Sequence, residues 1–268
     1  MTNITSPQNP RVKHIVKLRE DKRQRQKDGL LLVEGWDEIQ LALSAGHKPQ
    51  TLLTAPELAS RPLAFPSAET EVEPVETLTV SRAAFEKMSY RDNPDGWLAV
   101  FPIPRLSLAD LTLSASPLVI AAESIEKPGN LGAILRTADA AGVDALLLCD
   151  PRADPWNPNV IRASRGTVFS VPVVECDSVS ALAWLKSHGM RVLAATPSAE
   201  AAYTATDMRL PTAIAVGTED AGLTDFWLKN ADLKVKIPMR GKVNSLNVSV
   251  STALILYEAV RQRGIGEA

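Results

Sequence analysis

The chain has 268 residues, 45% hydrophobic and 22% charged, with a formal net charge of −2. That length allows one or two domains with cores of their own, and no apolar run approaches the roughly 18 residues of a membrane span, so membrane-spanning, collagen-like and wholly disordered classes are excluded. Two cysteines, Cys149 and Cys176, cannot build a disulfide framework, and His14, His47 and His188 stand too far apart for a local ligand cluster; the expectation is a reduced, cytoplasmic, metal-free protein with no export signal.

Residues 1–30 hold eight Lys/Arg against three Asp/Glu, a net +5. The breakers Ser6-Pro7-Gln8-Asn9-Pro10 precede a helical pattern in which Ile15, Val16 and Leu18 sit among Arg11, Lys13, Lys17 and Arg19, and the basic run continues to Lys27. Such a run is either a solvated helix face or a phosphate-binding arm, since nucleic acid responds to local potential rather than to net charge. Residues 31–106 answer with six basic and eleven acidic side chains, a net −5. Apolar patterning there predicts strands at 30–33, 51–54, 78–80 and 97–101, the last after the turn Asn93-Pro94-Asp95-Gly96, and a helix at 37–45 stopped by Gly46. This is a small α/β domain, 1–105. Pro102, Pro104 and Pro117 bracket a Ser/Leu/Thr-rich stretch that reads as a linker at 106–116.

From 117 to 268 the alternation becomes regular. Strands are expected at 118–122, 145–149, 171–174, 191–195, 213–216 and 233–237, with helices at 131–141, 160–165, 179–187 and 248–263. Continuous Val/Ile/Leu/Ala strands separated by helices predict an α/β domain with a mostly parallel sheet covered on both faces, and ligands of such sheets bind at the carboxyl ends of the strands.

Three loops there carry candidate chemistry. In the first, Glu123 to Thr137, Asn130 reads as a helix cap and Leu131, Ile134, Leu135 and Ala138 as the buried stripe. Arg136 falls off that stripe, either as an i,i+3 partner of Asp139 or as an anion contact. In the second, Gly217 and Gly222 flank Glu219, a tight turn or a backbone brought close to a ligand. In the third, Ile237-Pro238-Met239 is followed by Ser245-Leu246-Asn247-Val248-Ser249, where Ser245 or Asn247 can cap the last helix, yet the hydroxyl and amide groups outnumber what one cap requires. Gly129-x-x-Gly132 lacks the dinucleotide fingerprint, and no Walker Gly-Lys-Ser/Thr occurs, which counts against a nucleotide-dependent oxidoreductase.

Taken together, Asn130-x-Gly132 with Arg136-Thr137, Gly217-x-Glu219 with Gly222, and Ile237-Pro238-Met239 with Ser245 to Ser249 resemble the three motifs of the SpoU/TrmH family of RNA 2′-O-ribose methyltransferases in the SPOUT superfamily. Asn9-Pro10 with Arg11 and Lys13, Leu32-Val33-Glu34-Gly35 and Asn93 to Gly96 resemble that family's L30e-like substrate-binding domain. Thr218 stands where Ser or Asn is usual, and Asp95 where Gln is common. The resemblance implies a deep carboxyl-terminal trefoil knot, a rarity among folds, and a homodimer. It further implies S-adenosyl-L-methionine (AdoMet) held by Thr196, Gly217, Ile237, Met239 and Leu246, without a metal. RNA, most simply 23S ribosomal RNA and alternatively transfer RNA, would be held by Asn9, Arg11, Lys13, Lys17, Arg19 and Arg136. The implied catalytic set is Arg136 with Asn130, Glu219, Ser245 and Asn247. A free guanidinium titrates at about 12.5 or above, so Arg136 fits electrostatic stabilisation of a developing alkoxide better than general-base action. Retention of all five residues disfavours a non-catalytic RNA-binding homologue.

Overall fold

The computed structural model describes residues 2–63 and 75–264. Its elements in chain order are β1 (Thr2–Ile4), α1 (Pro10–Glu20), α2 (Lys22–Asp28), β2 (Leu30–Glu34), α3 (Trp36–Ser44), β3 (Thr51–Thr54), β4 (Glu76–Val80), α4 (Arg82–Met88), β5 (Trp97–Pro102), β6 (Leu118–Glu123), α5 (Pro128–Ala140), β7 (Ala145–Cys149), α6 (Pro158–Ala163), β8 (Val173–Cys176), α7 (Ser178–Ser187), β9 (Arg191–Ala195), β10 (Ala201–Ala202), β11 (Thr212–Val216), α8 (Asp225–Asn230), β12 (Leu233–Lys236) and α9 (Val248–Arg263). They sort into two compact units, Met1–Pro104 with Asp154–Ser170, and Arg105–Ala153 with Val171–Ala268.

The first unit is built on a five-stranded sheet of order β1-β4-β3-β5-β2. β1, β4 and β3 run parallel, while β5 is antiparallel to both β3 and β2. Val12, Ile15 and Leu18, one stripe of α1, pack with Phe85 and Met88 of α4 over Leu32, Leu53, Leu78 and Leu98 of the sheet. The basic run does not form one helix. Asp21 ends α1, and its carboxylate caps α2 through Arg23 N, so the chain turns there.

That turn buries Arg25, only 2% exposed. Its guanidinium reaches Asp154 Oδ2 from Nη2 at 2.6 Å and from Nε at 3.1 Å, and Nη1 donates to the Leu18 carbonyl at 2.7 Å. Residues 154–170, placed by the sequence reading in the second domain, therefore belong to the first unit. Phe169 extends the junction, with ring centroids 5.3 Å from His47, 5.8 Å from Phe101 and 6.1 Å from Trp156. No local pattern could announce this, because Arg25 and Asp154 lie 129 residues apart and His47 and Phe169 122.

The second unit is a seven-stranded, wholly parallel sheet of order β10-β12-β9-β11-β6-β7-β8. Alternate residues face opposite sides of a strand. Val119, Ala121, Leu147, Val192 and Ala215 accordingly pack on one face with Leu182 and Leu185 of α7 and the fully buried Trp227 of α8. Ile120, Leu146, Leu148 and Ile214 are buried as well, and α5 packs on α9, which lies against β11. Residues 106–116, read as a linker, contribute to this core instead. Leu108, Leu111 and Leu113 pack against it, and a Ser107–Asp110 capping box closes a single turn between them.

Candidate active site

The loop after β11 folds onto itself. Thr218 N donates to Gly222 O at 3.0 Å and Gly222 N returns to Thr218 O at 3.1 Å, while Gly222 takes φ +69°. A Cβ at Gly217 would overlap the Gly222 carbonyl, so the close approach that demands this glycine is made by the loop's own backbone. The loop's far end is pinned by buried Glu123, at the end of β6, which accepts from Thr224 N at 2.8 Å and Thr224 Oγ1 at 2.7 Å.

α5 begins at Pro128, with Lys127 at the cap position and no side-chain cap, so Asn130 lies inside the first turn rather than at the N-cap. Its amide is thereby released to the second loop, donating from Nδ2 to Glu219 Oε1 at 3.0 Å.

The third loop supplies the other side. Asn247 caps α9, its Oδ1 accepting from Ser249 N at 3.0 Å and Ser249 Oγ at 2.6 Å. The same side chain donates through Nδ2 to Asn130 Oδ1 at 3.1 Å and to Glu219 Oε1. Asn247 thus both caps α9 and joins the hydrogen-bond cluster at Glu219. Glu219 Oε2 is met by Lys127 Nζ, so one carboxylate clasps all three loops. The Lys127 hydrogen bond, and after it that of Asn130, holds the Glu219 carboxyl below the usual range, and Glu219 in turn raises Lys127. Lys127 was missed by the sequence reading, although it is the one basic residue between Glu123 and Leu135 and directly precedes Pro128.

Beside this clasp opens a cavity of about 450 Å³. Its wall includes Thr196, Gly217, Ile237, Met239 and Leu246, the five residues the resemblance assigns to the cofactor, together with Glu219 and Ser245. The lining is mixed, with Ile237, Met239 and Leu246 beside Glu219, Asp220 and Asn244, in a volume within the range of small-molecule sites. Arg136 is not part of the clasp: it is exposed on α5. In the first unit, Asn9 caps α1 through Arg11 N, Arg11 pairs with Glu76, and Arg19 donates to the carbonyls of Lys87, Met88 and Ser89 at the end of α4. Lys13 and Lys17 face solvent. Among the described residues no His/Cys/Asp/Glu group is placed to hold a metal, and no helix is long and apolar enough to cross a membrane.

Residues 117–257 match the SpoU rRNA Methylase family, and residues 9–99 match the MRM3-like substrate binding domain. The 23S rRNA (guanosine(2553)-2'-O)-methyltransferase RlmP of Bacillus subtilis is 32% identical over 258 residues, 96% of this chain and 98% of its own. A crystal structure of an RNA 2'-O ribose methyltransferase superimposes with a TM-score of 0.82 at 40% identity, covering 98% of this chain and 100% of that one. The AdoMet-bound rRNA methyltransferase from Sinorhizobium meliloti gives 0.85 at 28% identity, covering 97% of each chain. On these matches, which span both units, the chain belongs to the SpoU rRNA methylase family.

Proposed function

We propose that this chain transfers the methyl group of AdoMet to a ribose 2′-hydroxyl of 23S ribosomal RNA. The observation that carries the reading is the clasp at Glu219, which joins Lys127, Asn130 and Asn247 across three loops at the edge of the 450 Å³ cavity. The cavity's size and its lining of backbone, Ile237, Met239 and Leu246 fit a nucleoside joined to an amino-acid chain. When bound, AdoMet supplies an electrophilic methyl group on a sulfonium.

The chain's own part is orientation and charge. Loop backbone and Thr196 hold the cofactor, and the clasp keeps the loops preorganised, so that less ordering remains to be done on binding. Arg136 stabilises the developing 2′-alkoxide, and Ser245, on the cavity wall, positions the reacting groups. The first unit reads the RNA as an L30e-like domain, with Lys13 and Lys17 among its exposed cations, and residues after β12 thread the knot of the SPOUT fold. The working form is a cytoplasmic homodimer. Val250, Leu254 and Tyr257, which are 46%, 38% and 49% exposed, line a shallow groove with Ala133 and Thr137 of α5, and a second copy of this face covers it.

The test is Arg136→Ala with 23S ribosomal RNA as acceptor. Methyl transfer should fall by at least about 100-fold, with AdoMet affinity retained. Undiminished kcat would remove Arg136 from the chemistry.

A further inference from the structure

Among the described residues, the cations of the second unit without a carboxylate partner include Arg105, Arg136, Arg191 and Arg263, but only on β12 and the loop after it do four of them follow one another. From Leu233 to Tyr257 the chain carries Lys234, Lys236, Arg240 and Lys242 and no acidic residue. Asp232, just before them, is already engaged, accepting from Lys186 Nζ at 3.0 Å and from Val192 N at 2.8 Å. Elsewhere in the same unit Lys127, Arg152, Lys186, Arg209, Lys229 and Arg261 each face a carboxylate. Among the described residues the four cations of the run form no ion pair, and Lys234, Arg240 and Lys242 are exposed. Four like charges within nine residues repel one another, a cost that a surface without a polyanionic partner has no reason to keep.

Their placement relative to the cavity is the second observation. Val235, Ile237 and Met239 line the cavity, whereas Lys234, Lys236, Arg240 and Lys242 do not. One segment thus gives alternate residues to the cavity wall and to a charged outer side.

We infer that this run is a phosphate-binding track for the RNA substrate on the catalytic unit itself, an inference that rests on the function proposed above. The track holds the RNA backbone through Coulomb attraction and counterion release, without reading sequence. It also explains why the amino-terminal arm need not carry the whole electrostatic load: three of its eight cations, Arg11, Arg19 and Arg25, are committed to contacts within the first unit.

The experiment measures binding of protein-free 23S ribosomal RNA across a salt series, with AdoMet titrated separately. Removing four phosphate contacts should lower the slope of log affinity against log salt by about 3, and weaken binding about tenfold or more near 0.1 M salt. The variant is Lys234→Gln, Lys236→Gln, Arg240→Gln and Lys242→Gln combined. Arg240→Gln with Lys242→Gln, confined to the exposed loop, should give half the change in slope with no risk to β12. AdoMet affinity should stay within about twofold, and the loss in methyl transfer should appear in KM for RNA. The paired cations Arg209→Gln and Lys229→Gln serve as controls and should change nothing. Unchanged slope and affinity, in variants of a parent that binds and methylates RNA, would overturn the track alone. A parent that neither binds nor methylates RNA would overturn the proposed function and the track together.

Discussion

Asn247 offers a way to separate folding from function at a single side chain. Its Oδ1 caps α9 through Ser249 N, and its Nδ2 serves the clasp through Asn130 and Glu219. Asn247→Ala removes both. Loss of an N-cap oxygen costs about 1 kcal/mol, which lowers Tm by about 2–4 °C in a protein of this size. Asn247→Ser keeps an oxygen for the cap and lacks the amide donor, so its Tm should stay near the parent's. In AdoMet affinity the two variants should match. A buried hydrogen bond to a charged group is commonly worth tenfold or more, and because Asn247 is exposed the expected loss is discounted to about fivefold. Thermal unfolding and isothermal titration with AdoMet read the two effects. If Asn247→Ser bound AdoMet as the parent does, the amide would have no role in the clasp. If affinity merely followed Tm across both variants, the effect would be one of folding.

Gly217→Ala should displace the 217–222 loop, because the new Cβ overlaps the Gly222 carbonyl; a loss of about 1–3 kcal/mol and at least tenfold in AdoMet affinity is expected, whereas Gly129→Ala, with no atom in its way, should be tolerated. Arg25→Met leaves Asp154, with a side chain only 10% exposed, without its cation and should cost about 3–5 kcal/mol in urea unfolding; Arg25→Met with Asp154→Leu should recover most of it. The clasp also dictates a pH response. The Glu219 carboxyl is lowered from 4.5, so its contribution is complete above that value and is lost as pH falls through the lower folded one. Lys127 is raised from 10.5, so its contribution is lost only as pH rises beyond that. The clasp therefore gives AdoMet affinity no midpoint between about pH 5 and pH 7, below the range near 8 where the ligand's own amino group titrates, and a midpoint between about 5.5 and 6.5 in a fluorescence titration would contradict the assignment.

Much of the second unit was legible because its signals are local. The bounds of α9 follow from Asn247 before the stripe and Gly264 after it, and strands such as β7, Ala-Leu-Leu-Leu-Cys, read as buried because they are apolar on both faces. β1, α4 and α8, at 3, 7 and 6 residues, are too short to show a period. What stayed hidden depends on distant partners. Arg25 looks like its exposed neighbours Arg23 and Lys27 until Asp154 is placed beside it, and that pair moves a whole segment from one unit to the other. At the site, Asn130 looks like a cap in the sequence because nothing local marks Pro128 as the first helical residue, and Lys127 draws no notice because its partner is 92 residues away.

The purified protein is incubated with methyl-labelled AdoMet and 23S ribosomal RNA, and the RNA is then digested to locate the label. Label should appear at the 2′-oxygen of one ribose and be absent when Arg136→Ala replaces the parent. Label on a base, or RNA left unlabelled by a protein that binds AdoMet, would contradict the proposed function.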